Sequence, residues 1–231
     1  MHKFTLAAVF CAVLLCCAPA FAIDGQVLIN QSTVMAAGGF PYKITQPGSY
    51  KLSGNLVVPA NTNGIVIEAN GVTLDLNGFA VSGPLSCTGL GESISCSNDP
   101  EPNPTYGIVT TNLDFATVKN GTVSGFSGGL NIEGIAEDIF ATSNLDYGIS
   151  VSDGVMERCA ANFNRDTGLA IAASAALQNT ANFNGEYGLR AATSSFSSNV
   201  FLANGNDSPG AQILLTASVS GNNNSCNGSA C

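Results

Sequence analysis

The sequence predicts an all-β chain in which short strands stack as the parallel coils of a β-helix, about 20 residues to the coil. Three observations carry this. Three segments align without gaps at a period of 20: Asn144-Leu-Asp-Tyr-Gly148-Ile-Ser-Val, Asn164-Arg-Asp-Thr-Gly168-Leu-Ala-Ile and Asn184-Gly-Glu-Tyr-Gly188-Leu-Arg-Ala. After each glycine the side chains alternate, Ile149 and Val151 or Leu169 and Ile171 on one side and Ser150 or Ala170 on the other, as in a strand with one buried face. The composition, with 26 glycines, no tryptophan and only 10% charged residues, suits tight turns between short strands better than helical packing.

One such unit cannot bury its apolar face alone, whereas coils in register bury a continuous aliphatic column. Equivalent residues then lie ~4.8 Å apart and form ladders. Asn144, Asn164, Asn184 and Asn204 are expected to pass amide hydrogen bonds from coil to coil, with Asn224 continuing the column and Gly148, Gly168 and Gly188 marking the start of each strand. Phe163 and Phe183 should stack in the same way. Leucine-rich repeats share the period, but no L-x-x-L-x-L run recurs, and hexapeptide helices need multiples of six.

Along the chain, residues 1–22 read as a secretory signal peptide: Lys3, an apolar run from Phe4 to Cys17, and Ala20 and Ala22 before the cut. The run is too short to span a bilayer and no later stretch replaces it, so no transmembrane segment is expected and the mature chain is read as exported, whether secreted, periplasmic or on the cell surface. Residues 84–105 interrupt the repeat with Pro84, the Cys87/Cys96 pair and Pro100, Pro102 and Pro104, and are expected to leave one coil as a stapled loop. Cys226 and Cys231 are expected to close a tail at 226–231, and Cys159, the odd cysteine, to be a buried thiol. The β-helix proper is placed at 59–225.

The stretch Gly48-Ser-Tyr-Lys-Leu-Ser-Gly-Asn-Leu-Val-Val, followed by Gly64-Ile-Val-Ile-Glu-Ala-Asn-Gly-Val-Thr-Leu-Asp-Leu-Asn-Gly78-Phe-Ala-Val-Ser-Gly83, resembles the opening coils of bacterial pectin-lyase-like proteins. The resemblance implies a right-handed parallel β-helix with an N-terminal cap over residues 23–58. That superfamily holds lyases, hydrolases, esterases and adhesins, so it implies a fold and leaves the activity open. No Asn-Thr-Asp, Asp-Asp or Gly-His-Gly run of the polygalacturonase kind is present, and no catalytic residue is carried over.

The chemistry is narrow. The only histidine is His2, inside the leader, which excludes Ser-His-Asp and Cys-His catalysis from the mature chain. A formal charge of −9 argues against nucleic acid as a partner and makes neutral glycans easier ligands than acidic ones. Asp146, Asp166 and Glu186 share one repeat position and should form an acidic column; two such carboxylates could share Ca²⁺, although turn hydrogen bonds account for them without any cofactor. Arg190, beside Asp166 and Glu186, could act as the base of a polysaccharide lyase or serve a hydrolase, or simply pair with them. Tyr106, Tyr147 and Tyr187 precede repeat glycines, and Tyr147 and Tyr187, ~10 Å apart on alternate coils, could stack against a sugar chain. The reading that follows is a calcium-independent, non-enzymatic β-helix whose flank recognises extracellular polysaccharide. The alternatives are the lyase or hydrolase and a structural or adhesive rod without a ligand site.

Overall fold

The computed structural model describes residues 25–97, 104–111, 115–205 and 212–231. The expected leader at 1–22 lies outside them. The described chain is a parallel β-solenoid of about nine coils with about 20 residues in each. Among the described residues, no helix is long and apolar enough to cross a membrane.

The first coil comprises β1 (Gln26–Ile29), helix α1 (Gln31–Ala36) and β2 (Tyr42–Ile44). Asn30 caps α1, its side chain accepting from Thr33 N–H at 3.1 Å while Thr33 Oγ1 accepts from Asn30 N–H at 2.9 Å. The helix buries Val34 in the core. The next coil holds β3 (Gly48–Leu52), β4 (Leu56–Val57) and β5 (Ile65–Ile67), and it is followed by β6 (Val72–Asp75) and β7 (Ala80–Ser82). Strands β1 and β3, then β3 and β6, pair in parallel, so the stretch at 48–57 is already built into the coils.

A hairpin of β8 (Ser86–Thr88) and β9 (Ser95–Ser97) then leaves the solenoid as a separate antiparallel sheet. The chain returns through β10 (Tyr106–Thr110), β11 (Phe115–Ser124), β12 (Gly128–Thr142) and β13 (Tyr147–Glu157). From there the coils become regular three-strand turns: β14 (Ala160–Asn162), β15 (Thr167–Ala172) and β16 (Ala175–Leu177); β17 (Thr180–Asn182), β18 (Leu189–Ala192) and β19 (Ser195–Ser197); β20 (Val200–Leu202), β21 (Ile213–Thr216) and β22 (Val219–Ser220). A last pair, β23 (Ser225–Cys226) and β24 (Ser229–Ala230), turns back antiparallel.

Register is strict where the repeat is strict. Leu130, Ile149, Leu169, Leu189 and Ile213 stand in one inward column, and Ala141, Ala161, Ala181, Phe201 and Cys226 in another. Alternation fixes this, because a slip of one residue would turn every aliphatic side chain outward.

The regular coils turn at three corners, and in the coil of β14 to β16 each corner pairs a left-handed residue with an inward polar one. Phe163 at φ 57° precedes Asn164, Ala173 at 48° precedes Ser174, and Gln178 at 57° precedes Asn179. At the first corner Asn164 Oδ1 accepts from Asn144 N–H at 3.1 Å and from Asn144 Nδ2 at 3.0 Å, and Asn184 does the same for Asn164. These amides, wholly buried, satisfy the backbone groups that a corner removes from the sheet. Gln212 Oε1 ends the ladder by accepting from Asn204 Nδ2 at 2.9 Å.

Asn224 departs from the expected column. Its Oδ1 accepts from Asn199 N–H at 3.0 Å, which places it on another corner, in a ladder that runs from Cys159 N–H to Asn179 and Asn199. The insertion after Asn204 shifts the period, so the asparagine 20 residues on stands at a different corner. Ser174, Ser194 and Ser218 form a third, smaller ladder through their hydroxyls.

Both expected cystines have bonding geometry, with Cys87 Sγ 2.03 Å from Cys96 Sγ and Cys226 Sγ 2.18 Å from Cys231 Sγ. Cys159 is free and buried; burial pushes its thiol up to about 12, so it stays protonated and unreactive at neutral pH.

Candidate functional site

The acidic column lies on the outer side of the first corner. Backbone bonds hold its spacing: Thr167 N–H donates to Asp146 O at 2.9 Å and Glu186 N–H to Asp166 O at 2.8 Å. Asp166 Oδ1 accepts from Thr167 Oγ1 at 2.9 Å. The charge of Asp166 one coil earlier, followed by desolvation, raises Glu186 above its ordinary value; Arg190 and Arg165 pull the other way.

Like charge on the neighbouring coil disfavours the ionised form of Glu186. Among the described residues, no three acidic, cysteine or histidine side chains gather as metal ligands, so Asp146 does not join Asp166 and Glu186 in one cluster.

The pair has a pH consequence. Because the folded chain holds the Glu186 proton to higher pH than the unfolded chain does, this contribution to stability is full in acid and is lost as pH rises from the ordinary glutamate value through the raised one. Glu186 is exposed, so the effect is small. Replacing Glu186 with Gln should raise the melting midpoint by about 1–2 °C at pH 7 in low salt and leave it unchanged at pH 4. Scanning calorimetry at the two pH values checks this.

The tyrosines divide. Tyr106 and Tyr147 lie two coils apart, but the position between them is Gly128, and their rings lean together with centroids 6.4 Å apart. A Cβ on Gly128 would come within 2.7 Å of Tyr147 Cε2. Burial, and then Tyr106, raise the Tyr147 phenol well above its ordinary value. Tyr147 thus packs against Tyr106 while keeping part of its ring at the surface. Tyr187 stands apart from that stack, under the Arg190 guanidinium, whose central carbon lies 6.0 Å from the ring centroid.

Arg190 opens onto a surface that sequence reasoning did not single out. Outward residues of β13, β15, β18 and β21 form two columns, Ser150, Ala170, Arg190 and Leu214 beside Ser152, Ala172, Ala192 and Thr216. Small side chains in successive coils leave a shallow groove of about 260 Å³ along the solenoid, with Arg190 as the one charged lining residue among the described residues. The signal was available as the alternation after each repeat glycine, but an alanine on an outward position reads as empty rather than as floor.

The hairpin at 86–97 borders the acidic column on its other side. Leu85 N–H donates to Gly125 O at 3.1 Å, Cys87 Sγ lies 4.0 Å from Asn144 O, and Gly91 packs against the carbonyls of the corner below. A Cβ on Gly91 would fall 2.4 Å from Gly205 O, and one on Gly185 would fall 3.3 Å from Gly91 O. The inserted segment is therefore a strap laid along the corner across successive coils, with Leu85, Ile94 and Leu145 buried beneath or within it.

Phe163 and Phe183 stack at 5.4 Å with 7° between their planes, on the outside of the corner. Away from this site, Arg158 pairs with Asp138 at 3.0 Å, with Glu157 at 2.6 Å and with Glu137. No known protein family, curated protein or solved structure matches the chain.

Proposed function

We propose that this chain is an exported, non-enzymatic β-helix of the pectin-lyase-like kind, and that the flank between the strap and the Ala170/Ala192 columns recognises neutral extracellular polysaccharide. The observation that carries the reading is the groove. It is open, parallel to the solenoid axis and floored by Ser150, Ala170, Ala172 and Ala192, so that an extended polymer fits it better than a compact substrate does. Arg190, held over Tyr187, supplies donors for sugar hydroxyls at its edge. Two cystines support an oxidising compartment, and the leader at 1–22 supports export.

Affinity electrophoresis on a panel of neutral polysaccharides tests the proposal. Wild type should be retarded by at least one of them, with no reducing ends or unsaturated products released, and Arg190→Ala should weaken retardation about tenfold. Equal mobility of wild type in every gel overturns glycan recognition and leaves the structural rod; product release instead restores the enzyme.

A further inference from the structure

The two ends of the solenoid are finished differently. At the N-terminal end, α1 places Val34 in the core. At the other end, β21 and β22 pair on one side only, with β18 and β19; among the described residues no strand covers their outer edges. Only the third side is closed, by the β23–β24 hairpin and its cystine.

The uncovered edge exposes what earlier coils bury. Leu215 continues the inward column of Val151, Ile171 and Ala191, which are at most 3% exposed, yet it is itself 45% exposed. An apolar cavity of about 500 Å³ opens there, lined by Phe196, Ile213, Leu215 and the Cys226–Cys231 hairpin. Exposed edges are usually protected by lysine, proline or an inward charge. Here, from Gln212 to Cys231, there is no charged side chain and no proline.

We propose that this end docks a second copy of the same chain, end to end, about a twofold axis. Charge selects the occupant. Two chains of formal charge −9 repel wherever acidic flanks meet, and the last coil is a face on which two copies can touch without opposing charges. The edge is also suited to itself, since antiparallel pairing of β21 with its symmetry mate is isologous. Pairing Leu214 with Leu214 of the second copy sets Ile213 opposite Leu215 and keeps both inward, so the two cores join, whereas a shift of one residue would set inward against outward side chains.

Sedimentation velocity over about 1–100 µM decides the matter with the full chain after leader removal. Wild type should pass to twice the monomer mass, and Leu215→Glu should weaken association at least tenfold; Leu215 already reaches water, so that variant should keep the wild-type β-sheet spectrum. Leu202→Glu, 41% exposed on the flank, should leave the dimer intact. Leu214→Cys should form a disulfide-linked dimer on mild oxidation, because directly paired antiparallel residues lie within cystine reach. A wild type that stays monomeric, a dimer insensitive to Leu215→Glu, or a dimer that Leu214→Cys fails to cross-link overturns the proposal.

Discussion

Replacing Asn164 with alanine should lower the melting midpoint by about 10 °C. The side chain accepts from Asn144 N–H and Nδ2 and donates to Ala141 O at 3.3 Å and to Asn184 Oδ1 at 3.0 Å, all in a buried corner. Removing it strands Asn144 N–H away from water, and an unsatisfied buried group costs about 1–3 kcal/mol before the lost amide bonds are counted, about 3–4 kcal/mol in all. Asn162 is the control. Its Oδ1 accepts from Asn182 N–H at 3.0 Å, but the residue is half-buried and water can replace it. Asn162→Ala should therefore shift the midpoint by no more than about 3 °C. Equal losses from the two variants would mean that the inward ladder is not what holds the coils in register.

The second large effect is expected at Gly185. A methyl group there would meet Arg165 O at 1.7 Å, and neither that backbone carbonyl nor Gly91 O on the strap can turn aside as a side-chain tip would. Gly185→Ala must push apart the coils at the first corner or lift the strap, at a cost of about 3 kcal/mol or more. The strap is the element with less to lose, being joined to the solenoid through a few contacts along one corner. Limited proteolysis should show faster cleavage within residues 88–97 in Gly185→Ala than in wild type, together with a midpoint about 6–12 °C lower. Unchanged cleavage would place the strain in the coils instead, and an unchanged midpoint would contradict the close packing of this corner.

How much of this could be read from the sequence follows from how each feature repeats. The first corner was legible because Asn144, Asn164 and Asn184 stand at an unbroken interval and keep one residue type. The corner of Cys159, Asn179, Asn199 and Asn224 was not, although its first three members are also 20 apart, because a cysteine opens it and an insertion displaces its last member. Corner chemistry asks only for an inward group able to serve a neighbouring backbone N–H. Serine does this at the third corner as asparagine does at the first two, so identity is lost while function is kept.

The candidate site was half legible. Equal spacing placed Asp166 one coil before Glu186, and the charge of the first raises the second. The pairing of Tyr106 with Tyr147 across Gly128 did not follow, since those residues fall in the irregular coils, where spacing between equivalent positions varies. Nor did the path of the strap. It repeats nothing, and its partners Gly185 and Gly205 are recognisable only once the space above them is known.

The asparagine ladder has a direction. Every member receives from the residue one coil earlier and gives to the one after it, until Gln212, with its longer side chain, reaches back across 8 positions to accept from Asn204 and to donate to Asn204 O. A link of this kind has the same sockets above and below, so splicing in another copy of residues 164–183 would leave no dangling amide and require no change at either terminus. Length in this molecule is thus set by where the stop piece sits, and a gene can lengthen or shorten the rod by whole coils without redesigning its ends.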